Sequence, residues 1–288
     1  MASSNSENGI GTAKIDAHQH FWKYDPIRDA WITPDMKVIQ KDFLPVDLEP
    51  LLKENGIDGC IAVQADQSED ENDYLLEHAA KNDFIKGVVG WVDFRHPDVG
   101  QRIAHYKRYP KLKGFRHVLQ GEHDRALMLN PSFKRGIALL EPNGYTYDIL
   151  IYPDQLGYTR EFVAQFPNQP FVLDHIAKPH IKDRYITDEW KAAIRAAAAH
   201  PNLYCKISGM VTEADWYHWK PEHFRVYLDT IVEAFGINRV MFGSDWPVCL
   251  VAASYKQVAQ IVADYFASFS ETDRAAFWGG NAINFYKL

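Results

Sequence analysis

The chain has 288 residues, of which 47% are hydrophobic and 24% charged, and its formal net charge at pH 7 is −7. This composition is typical of a folded globular protein and gives no indication of a long disordered region. The negative charge argues against a nucleic acid or an anionic membrane as the partner, because both bind concentrated basic surfaces.

The cysteines and the N-terminal segment indicate a reducing compartment. Three cysteines, Cys60, Cys205 and Cys249, form an odd set without a C-x-x-C spacing, so neither a disulfide framework nor a cysteine zinc site is expected. The opening segment "MASSNSENGIGTAK" lacks the apolar stretch of a secretory signal, and no apolar run reaches the length of a bilayer span. We expect a cytoplasmic protein with a flexible tail over residues 1–13 and one domain over residues 14–288.

Short apolar or β-branched segments recur at intervals of roughly thirty residues, as expected of consecutive βα units. In chain order these eight segments are "KIDAHQH", "IDGCIAVQA", "IKGVVGWVDF", "LKGFRHVLQ", "YTYDILIY", "PFVLDHI", "LYCKISG" and "RVMFGSDW". Eight strands that each precede a helix predict a closed parallel (β/α)₈ TIM barrel rather than an open doubly wound sheet. The dinucleotide-binding alternative is weakened further, because no G-x-G-x-x-G follows the first strand.

Amphipathic stretches of helical period lie between the strands. In "VDLEPLLKENG", Gly56 is the expected helix stop, and in "DEWKAAIRAAAAHP" a helix is expected to start at Asp188 and end before Pro201. In "PEHFRVYLDTIVEAFG", Pro221 is the predicted first helical residue and Gly236 the residue past the end. We predict the longest irregular segments at residues 21–45 and 176–187, both after strand ends where barrels build their sites.

The first strand carries two histidines one residue apart. Strand alternation predicts Ile15 and Ala17 on one face and Asp16, His18 and His20 on the other. Convergent imidazoles suit a metal ion or a catalytic water. In a chain with twelve histidines, however, an H-x-H pair also arises by chance, so the pair requires corroboration.

The barrel prediction supplies that corroboration, since polar residues at the strand ends gather over one mouth. Strand by strand these residues are His18 and His20, Gln64, Trp91 and Asp93, Arg116 and His117, Asp148, Asp174 and His175, Lys206 and Ser208, and Asp245. Three imidazoles and a carboxylate, from His18, His20, His175 and Asp245, suit zinc or a similar divalent ion with an open position for water.

Each residue also has a structural alternative. Asp245 could cap a helix or close a turn, and Arg116 could pair with a carboxylate such as Asp148. Lys206 could extend along the barrel rim. Gln64 and Trp91 could serve core or rim packing.

Five longer stretches carry a family resemblance: "IDAHQHFW", "GFRHVLQ", "LDHIAKP", "KISGMVTEADW" and "MFGSDWPVCL". From Ile15 to the C-terminus the chain resembles the sugar-lactonase branch of the amidohydrolase superfamily, which is related to L-fuconolactonases and L-rhamnonolactonases. The resemblance implies a (β/α)₈ barrel that hydrolyses the internal ester of an aldonolactone to the open-chain sugar acid.

The resemblance also bears on the metal. The superfamily pattern has a histidine at the end of strand five and often a lysine at the end of strand four. Here Asp148 or Tyr152 stands near the former position and Arg116 near the latter. We therefore expect at most one divalent ion, zinc or manganese, and metal-independent hydrolysis stays open because some relatives hold no metal tightly.

The predicted mechanism assigns water activation to Asp245, which then protonates the leaving alkoxide. His18, His20 and His175 would bind the ion or, without one, fix the water and the carbonyl by hydrogen bonds. Arg116 would face the developing oxyanion.

Sugar binding requires flat surfaces and hydroxyl-reading groups. Candidates for the flat surfaces are Trp22, Trp31, Trp91 and Trp246, and candidates for the hydroxyl readers are Gln64, Asp148 and Lys178. Loop packing is the alternative for each tryptophan, and solvent exposure is the alternative for Lys178.

Two rival functions remain at this point. The first is a metal-dependent decarboxylase of an unsaturated or aromatic acid on the same scaffold, with Arg116 binding the carboxylate. The second is a non-catalytic carbohydrate-binding barrel. The expected partner is a small sugar lactone, and the sequence does not distinguish a monomer from a homodimer.

Overall fold

The computed structural model describes residues 13–288, so the predicted flexible tail lies almost wholly outside the described residues. Eight parallel strands form one sheet in the order β1 to β8. They are β1 Ile15–Gln19, β2 Gly59–Val63, β3 Ile85–Gly90, β4 Leu112–His117, β5 Thr146–Ile149, β6 Phe171–Leu173, β7 Leu203–Ile207 and β8 Val240–Phe242. Each lies within one of the eight predicted segments.

The sheet closes between its first and last strands. Gln19, at the end of β1, pairs in parallel with Trp246, just beyond β8. The His20 backbone N–H donates to the Trp246 carbonyl at 2.7 Å. The predicted single-domain TIM barrel is therefore confirmed.

Helices follow the strands around the outside. They are α1 Pro45–Glu54, α2 Glu69–Lys81, α3 Val99–Tyr106, α4 Pro131–Ile137, α5 Leu156–Ala164, α6 Asp188–Ala198, α7 Glu222–Phe235, α8 Tyr255–Phe266, α9 Glu271–Ala275 and α10 Asn281–Tyr286. The start of α6 is as predicted, with the Thr187 hydroxyl accepting from the Trp190 N–H. Pro221 immediately precedes α7 as its N-cap, one residue outside the predicted position. No helix of the described residues has both the length and the apolar character needed to cross a bilayer.

Apolar residues fill the barrel below its mouth. The inner cluster contains Ile15, Ala17, Ile61, Val63, Val89, Val172 and Met241, and Phe285 and Tyr286 of α10 join it. Lys113, near the start of β4, donates to the Lys287 carbonyl, so α10 lies at the end where the strands begin. The opposite end is left for the polar residues.

The loops at that opposite end differ from the prediction in one respect. The predicted segments 21–45 and 176–187 contain short 3₁₀ turns, and the first of them also contains a bridge between Trp22 and Phe43 and the first residue of α1. Residues 208–221, between β7 and α7, form a segment as long as residues 174–187, between β6 and α6, so the prediction missed a third long loop of equal length. This loop buries three apolar residues, Met210, Val211 and Ala214. Loops are predicted from polar residues, so these apolar residues explain why the sequence analysis missed it.

Candidate active site

The first strand is irregular where it carries the histidines. The register of β1 against β2 shifts between Asp16 and Gln19, which interrupts the alternation of faces. The Asp16 carboxylate accepts from the Tyr255 hydroxyl of α8 at 3.0 Å, outside the sheet, whereas His18 turns into the barrel. The prediction that Asp16 shares a face with His18 and His20 was therefore wrong.

Asp16 has a positioning role in this arrangement. Its Oδ1 accepts from the backbone N–H of His18 at 3.1 Å and from that of Ser244 at 2.9 Å. It thereby ties the first strand to the loop after β8, which carries Asp245. Burial raises the pKa of Asp16 to about 6 against the lowering effect of these hydrogen bonds.

Four predicted side chains meet in the barrel mouth. Asp245 Oδ1 lies 3.4 Å from His20 Nε2, 3.8 Å from His175 Nε2 and 4.0 Å from His18 Nε2. All four residues are at most 4% exposed. The cluster draws on β1, on the turn after β6 and on the loop after β8.

Two members of the cluster have left-handed backbones, which are rare for residues other than glycine. His175 has φ 54° and Asp245 has φ 58°. Such conformations cost on the order of 1–3 kcal/mol each and persist where the surroundings enforce them. Gly209 is part of those surroundings, since a Cβ there would lie 2.7 Å from His175 Nδ1. The chain thus stores strain in the two residues that face each other across the mouth.

Hydrogen bonds determine which nitrogen of His20 is free. Its Nδ1 lies 2.8 Å from the Val63 carbonyl oxygen, which only accepts, so Nδ1 carries the hydrogen. The lone pair of Nε2 then faces the Asp245 carboxylate, and two acceptors at this separation require a proton, a water or a cation between them.

The protonation states agree with that requirement. Burial lowers the pKa of His20 and lowers those of His18 and His175 well below the usual value. Burial opposes ionisation of Asp245, but His175, His20 and Lys178 outweigh it and lower its pKa. Neutral imidazoles therefore surround an ionised carboxylate at neutral pH.

These residues fit a metal ion. His18, His175 and Asp245 each offer a ligand atom, and these atoms lie within 4.8 Å of one another. Imidazole nitrogens with a carboxylate form a set that zinc accepts. Arg116 competes with a metal ion for His18, because its guanidinium NH1 lies 3.2 Å from His18 Nε2.

Arg116 is fixed by a carboxylate and an amide. Its NH1 lies 3.2 Å from Asp174 Oδ2, so Arg116 does pair with a buried carboxylate, although the partner is Asp174 and not Asp148. Its NH2 donates to the Gln64 backbone carbonyl, and Gln64 Nε2 donates to the Arg116 carbonyl at 3.1 Å. Gln64 is wholly buried and holds Arg116 in place, so it does not reach the mouth as a hydroxyl reader.

A buried lysine at the barrel axis was not assigned a role from the sequence. Lys206 Nζ lies 2.5 Å from Asp148 Oδ2 and 3.2 Å from both Asp174 Oδ1 and His18 Nδ1. The Lys206 side chain is wholly buried, so the alternative that it lies along the rim was wrong. Its position in β7, two residues before Ser208, was the available signal for an inward orientation.

Asp148 lies beneath the mouth. Its carboxylate accepts a hydrogen bond from the Lys206 ammonium and another, at 2.9 Å, from the Tyr286 hydroxyl of α10. Burial raises the pKa of Asp148 to about 6, against the lowering effect of Lys206. Asp148 is wholly buried, so the structure does not place its carboxylate in the mouth as a hydroxyl reader.

The four predicted tryptophans divide into two pairs. Trp22 and Trp246 are 2% and 1% exposed and pack edge to face against Phe43, so neither offers a ring face to a sugar. Trp31 is 42% exposed. Trp91 is half-buried, and its indole N–H donates to His117 Nδ1 at 3.1 Å.

Lys178 lies at the edge of the site. It is the last of four consecutive left-handed residues that begin with His175. Its Nζ lies 3.5 Å from Oε1 of Glu213, in the loop after β7. Glu213 was missed from the sequence, because that loop was not recognised.

Comparisons with known proteins agree with this architecture. An amidohydrolase family model matches residues 15–288. The chain is 43% identical to an L-fucono-1,5-lactonase of Burkholderia multivorans, covering 97% of each chain, and 35% identical to one of Burkholderia ambifaria, covering 96% of each.

Solved structures give the same relationship. A zinc-bound amidohydrolase of Burkholderia multivorans has a TM-score of 0.92 and 43% identity, over 96% of this chain and 99% of that one. Two solved decarboxylases of dihydroxybenzoic acids are 16% and 15% identical, a likeness that shows the fold alone. By its family match, its near full-length relatives and its barrel, the chain belongs to the amidohydrolase family.

Proposed function

We propose that this protein hydrolyses a sugar lactone to the open-chain sugar acid, with L-fucono-1,5-lactone as the first candidate substrate. The observation that carries the proposal is a single ionised carboxylate, Asp245, within 4.0 Å of three imidazole nitrogens in the barrel mouth. The names of two curated relatives, at 43% and 35% identity, supply the substrate class.

Asp245 serves as the base. Its lowered pKa keeps it ionised at neutral pH, ready to take a proton from the attacking water. The water oxygen forms a bond to the lactone carbonyl carbon, and the bond from that carbon to the ring oxygen then breaks. Asp245 returns the proton to the departing ring oxygen, so the carboxylate is regenerated at the end of the cycle.

Arg116 stabilises the negative charge that develops on the carbonyl oxygen. Its guanidinium lies beside His18 at 3.2 Å and is oriented by Asp174 and Gln64. A positive group positioned in advance costs no reorganisation during the reaction. Lys206 holds Asp174 and His18 from below.

The cluster would hold one divalent ion, zinc before manganese, through His18, His175 and Asp245, with His20 as a further donor. When bound, the ion would polarise the carbonyl and lower the pKa of water. Hydrolysis without an ion stays an alternative, in which the histidine nitrogens position the water by hydrogen bonds.

The sugar ring would contact Trp91 and Trp31, the two predicted tryptophans with exposed surface. Lys178 would donate to a ring hydroxyl. We also propose a cytoplasmic location. The proposal does not choose between a monomer and a homodimer.

The decarboxylase alternative rests on the fold alone, at 16% identity or less. One experiment separates the two reactions. The purified protein is incubated with L-fucono-1,5-lactone and separately with 2,6-dihydroxybenzoate, and the products are followed by ¹³C NMR. We expect the sugar carboxylate to form faster than in a protein-free control, without carbon dioxide release from the aromatic acid. Carbon dioxide release without lactone opening would reverse the assignment, and saturable lactone binding without product would indicate a non-catalytic barrel.

A further inference from the structure

An open cavity lies between the loop after β6 and the loop after β7, and none of its lining residues belongs to the catalytic cluster. Its volume is about 600 Å³, and its lining includes His180, Lys182, Asp183, Thr212, Glu213 and Trp216. This volume falls within the range of small-molecule sites in proteins. The lining combines charged groups with an indole ring, as a site for a polar, hydroxyl-bearing ligand requires.

The cavity is connected to His175 through the loop after β7. Ser208, at the start of that loop, lies with its hydroxyl 2.8 Å from His175 Nδ1. Five residues later the Glu213 carbonyl accepts the Lys182 backbone N–H at 2.9 Å. Both ends of this segment are therefore anchored to the loop after β6, and the position of Glu213 is fixed relative to the catalytic cluster.

Lys178 spans the boundary between the cluster and the cavity. In a tight turn of three residues per turn, residues i and i+3 lie on the same side, so the left-handed turn presents Lys178 on the side of His175. Its ammonium then reaches Glu213 at 3.5 Å. The two side chains are 17% and 21% exposed, and Glu213 is the member of the pair that lines the cavity.

The Glu213 carboxylate has unused acceptor capacity. Within residues 13–288, Lys178 is its one polar side-chain partner. An ionised carboxylate accepts about four hydrogen bonds, so most of its acceptor positions remain available to a ligand. Hydroxyls of a bound sugar are donors that suit this position.

We infer that Glu213 is a specificity-determining residue, whose carboxylate accepts hydrogen bonds from the ring hydroxyls of the lactone while Lys178 donates to an adjacent oxygen. This inference rests on the proposed function. It specifies the substrate class as lactones with neighbouring hydroxyls, placed so that the carbonyl lies at Asp245 and the hydroxyls lie toward the cavity.

The test is a substrate ratio in the full-length protein. The kcat/KM for L-fucono-1,5-lactone is divided by that for δ-valerolactone, which has the same ring size and no hydroxyls. Glu213→Gln should lower this ratio about 10- to 100-fold, as expected for a lost hydrogen bond to a charged group. Glu213→Asp, which keeps the charge but retracts it by one carbon, should give an intermediate ratio.

Partial unfolding lowers both activities by the same factor and leaves the ratio unchanged, so the readout separates specificity from stability. Glu233→Gln is the matched control, because it makes the same change at an exposed carboxylate of α7 that does not line the cavity. Its ratio should equal that of the wild type. If the wild type opens both lactones and Glu213→Gln leaves the ratio unchanged, the inference alone fails. If the wild type opens no lactone, the proposed function fails, and the inference fails with it.

Discussion

His20 Nε2 lies 3.4 Å from Asp245 Oδ1, while the opposite nitrogen of the same ring donates to the Val63 carbonyl. A lone pair and an ionised oxygen thus face each other in a site that excludes bulk water. The electrostatic repulsion between them is relieved when a proton, a water or a cation lies between them. This relationship supports both the proposed base and the proposed ion site.

The ion site predicts stabilisation by zinc. An ion that binds the folded state alone raises stability by about 2.7 kcal/mol at a concentration 100 times its Kd. Zinc added to chelator-treated protein should raise the Tm, and His175→Ala should abolish most of the rise. His218→Gln, at a histidine whose side chain is 73% exposed, serves as the control and should keep the rise. An equal Tm with and without zinc would argue for the metal-independent alternative.

The ion pair between Lys206 and Asp148 predicts a strong effect on stability. Lys206→Met removes the cation and leaves two carboxylates, Asp148 and Asp174, buried without it. Breaking a buried pair costs on the order of 3–5 kcal/mol, which urea unfolding would measure. Adding Asp148→Asn to the same chain should recover part of the loss.

The matched control for this prediction is an exposed lysine. Lys53 is 72% exposed and pairs with Glu49 on the surface of α1, so Lys53→Met should cost little. Similar unfolding curves for the two lysine variants would show that the buried network is not important for stability.

Glu71 predicts a pH dependence of stability. This residue is 8% exposed, and burial raises its pKa to about 7 against the hydrogen bonds that it accepts from the Ala65 and Asp66 N–H groups. Because the ordinary pKa is 4.5, the folded state retains the proton over a pH range in which the unfolded state has lost it. The resulting stabilisation is complete below pH 4.5 and disappears as the pH rises through 7, a change of about 3 kcal/mol.

Glu71→Gln lacks this titration. The Tm of the variant minus that of the wild type should therefore increase from pH 5 to pH 8, as measured by thermal melts in matched buffers. A difference for Glu71→Gln that stays constant from pH 5 to pH 8 would refute the raised pKa.

We expect replacement of Trp91 to change KM more than kcat. If its ring contacts the sugar, Trp91→Ala should raise KM for the lactone roughly five- to tenfold, with a smaller change in kcat. Trp91→Phe keeps a ring but loses the N–H that donates to His117, and its KM should be intermediate. An unchanged KM in both variants would leave Trp91 as a packing residue.

The sequence predicted the barrel well because its signals are local. Each strand is a short apolar segment, and each helix has a period and stop residues such as Gly236 at φ 71°. The residues of the mouth followed from one geometric rule, that parallel strands end at the same rim. His175 and Asp245 could be placed near His18 for that reason alone.

The remaining features depend on long-range contacts that no local pattern encodes. Arg116 and His18 are 98 residues apart in the chain, and Lys206 and His18 are 188 apart. Asp16 faces outward between the inward residues Ile15 and Ala17, and the bulge in β1 turns His18 inward against the alternation rule. Glu213 escaped notice because its loop contains buried apolar residues.

The most direct test of the central claim is the rate of proton release from L-fucono-1,5-lactone by the wild type and by Asp245→Asn, followed with a pH indicator after subtraction of spontaneous opening. Loss of a positioned base costs about 10²- to 10⁴-fold in rate. We predict one proton per lactone opened by the wild type and a kcat reduced by that factor in the variant, with the circular dichroism spectrum unchanged. A near-normal kcat in Asp245→Asn would contradict the role of Asp245, and absence of catalysed release by the wild type would contradict the lactonase itself.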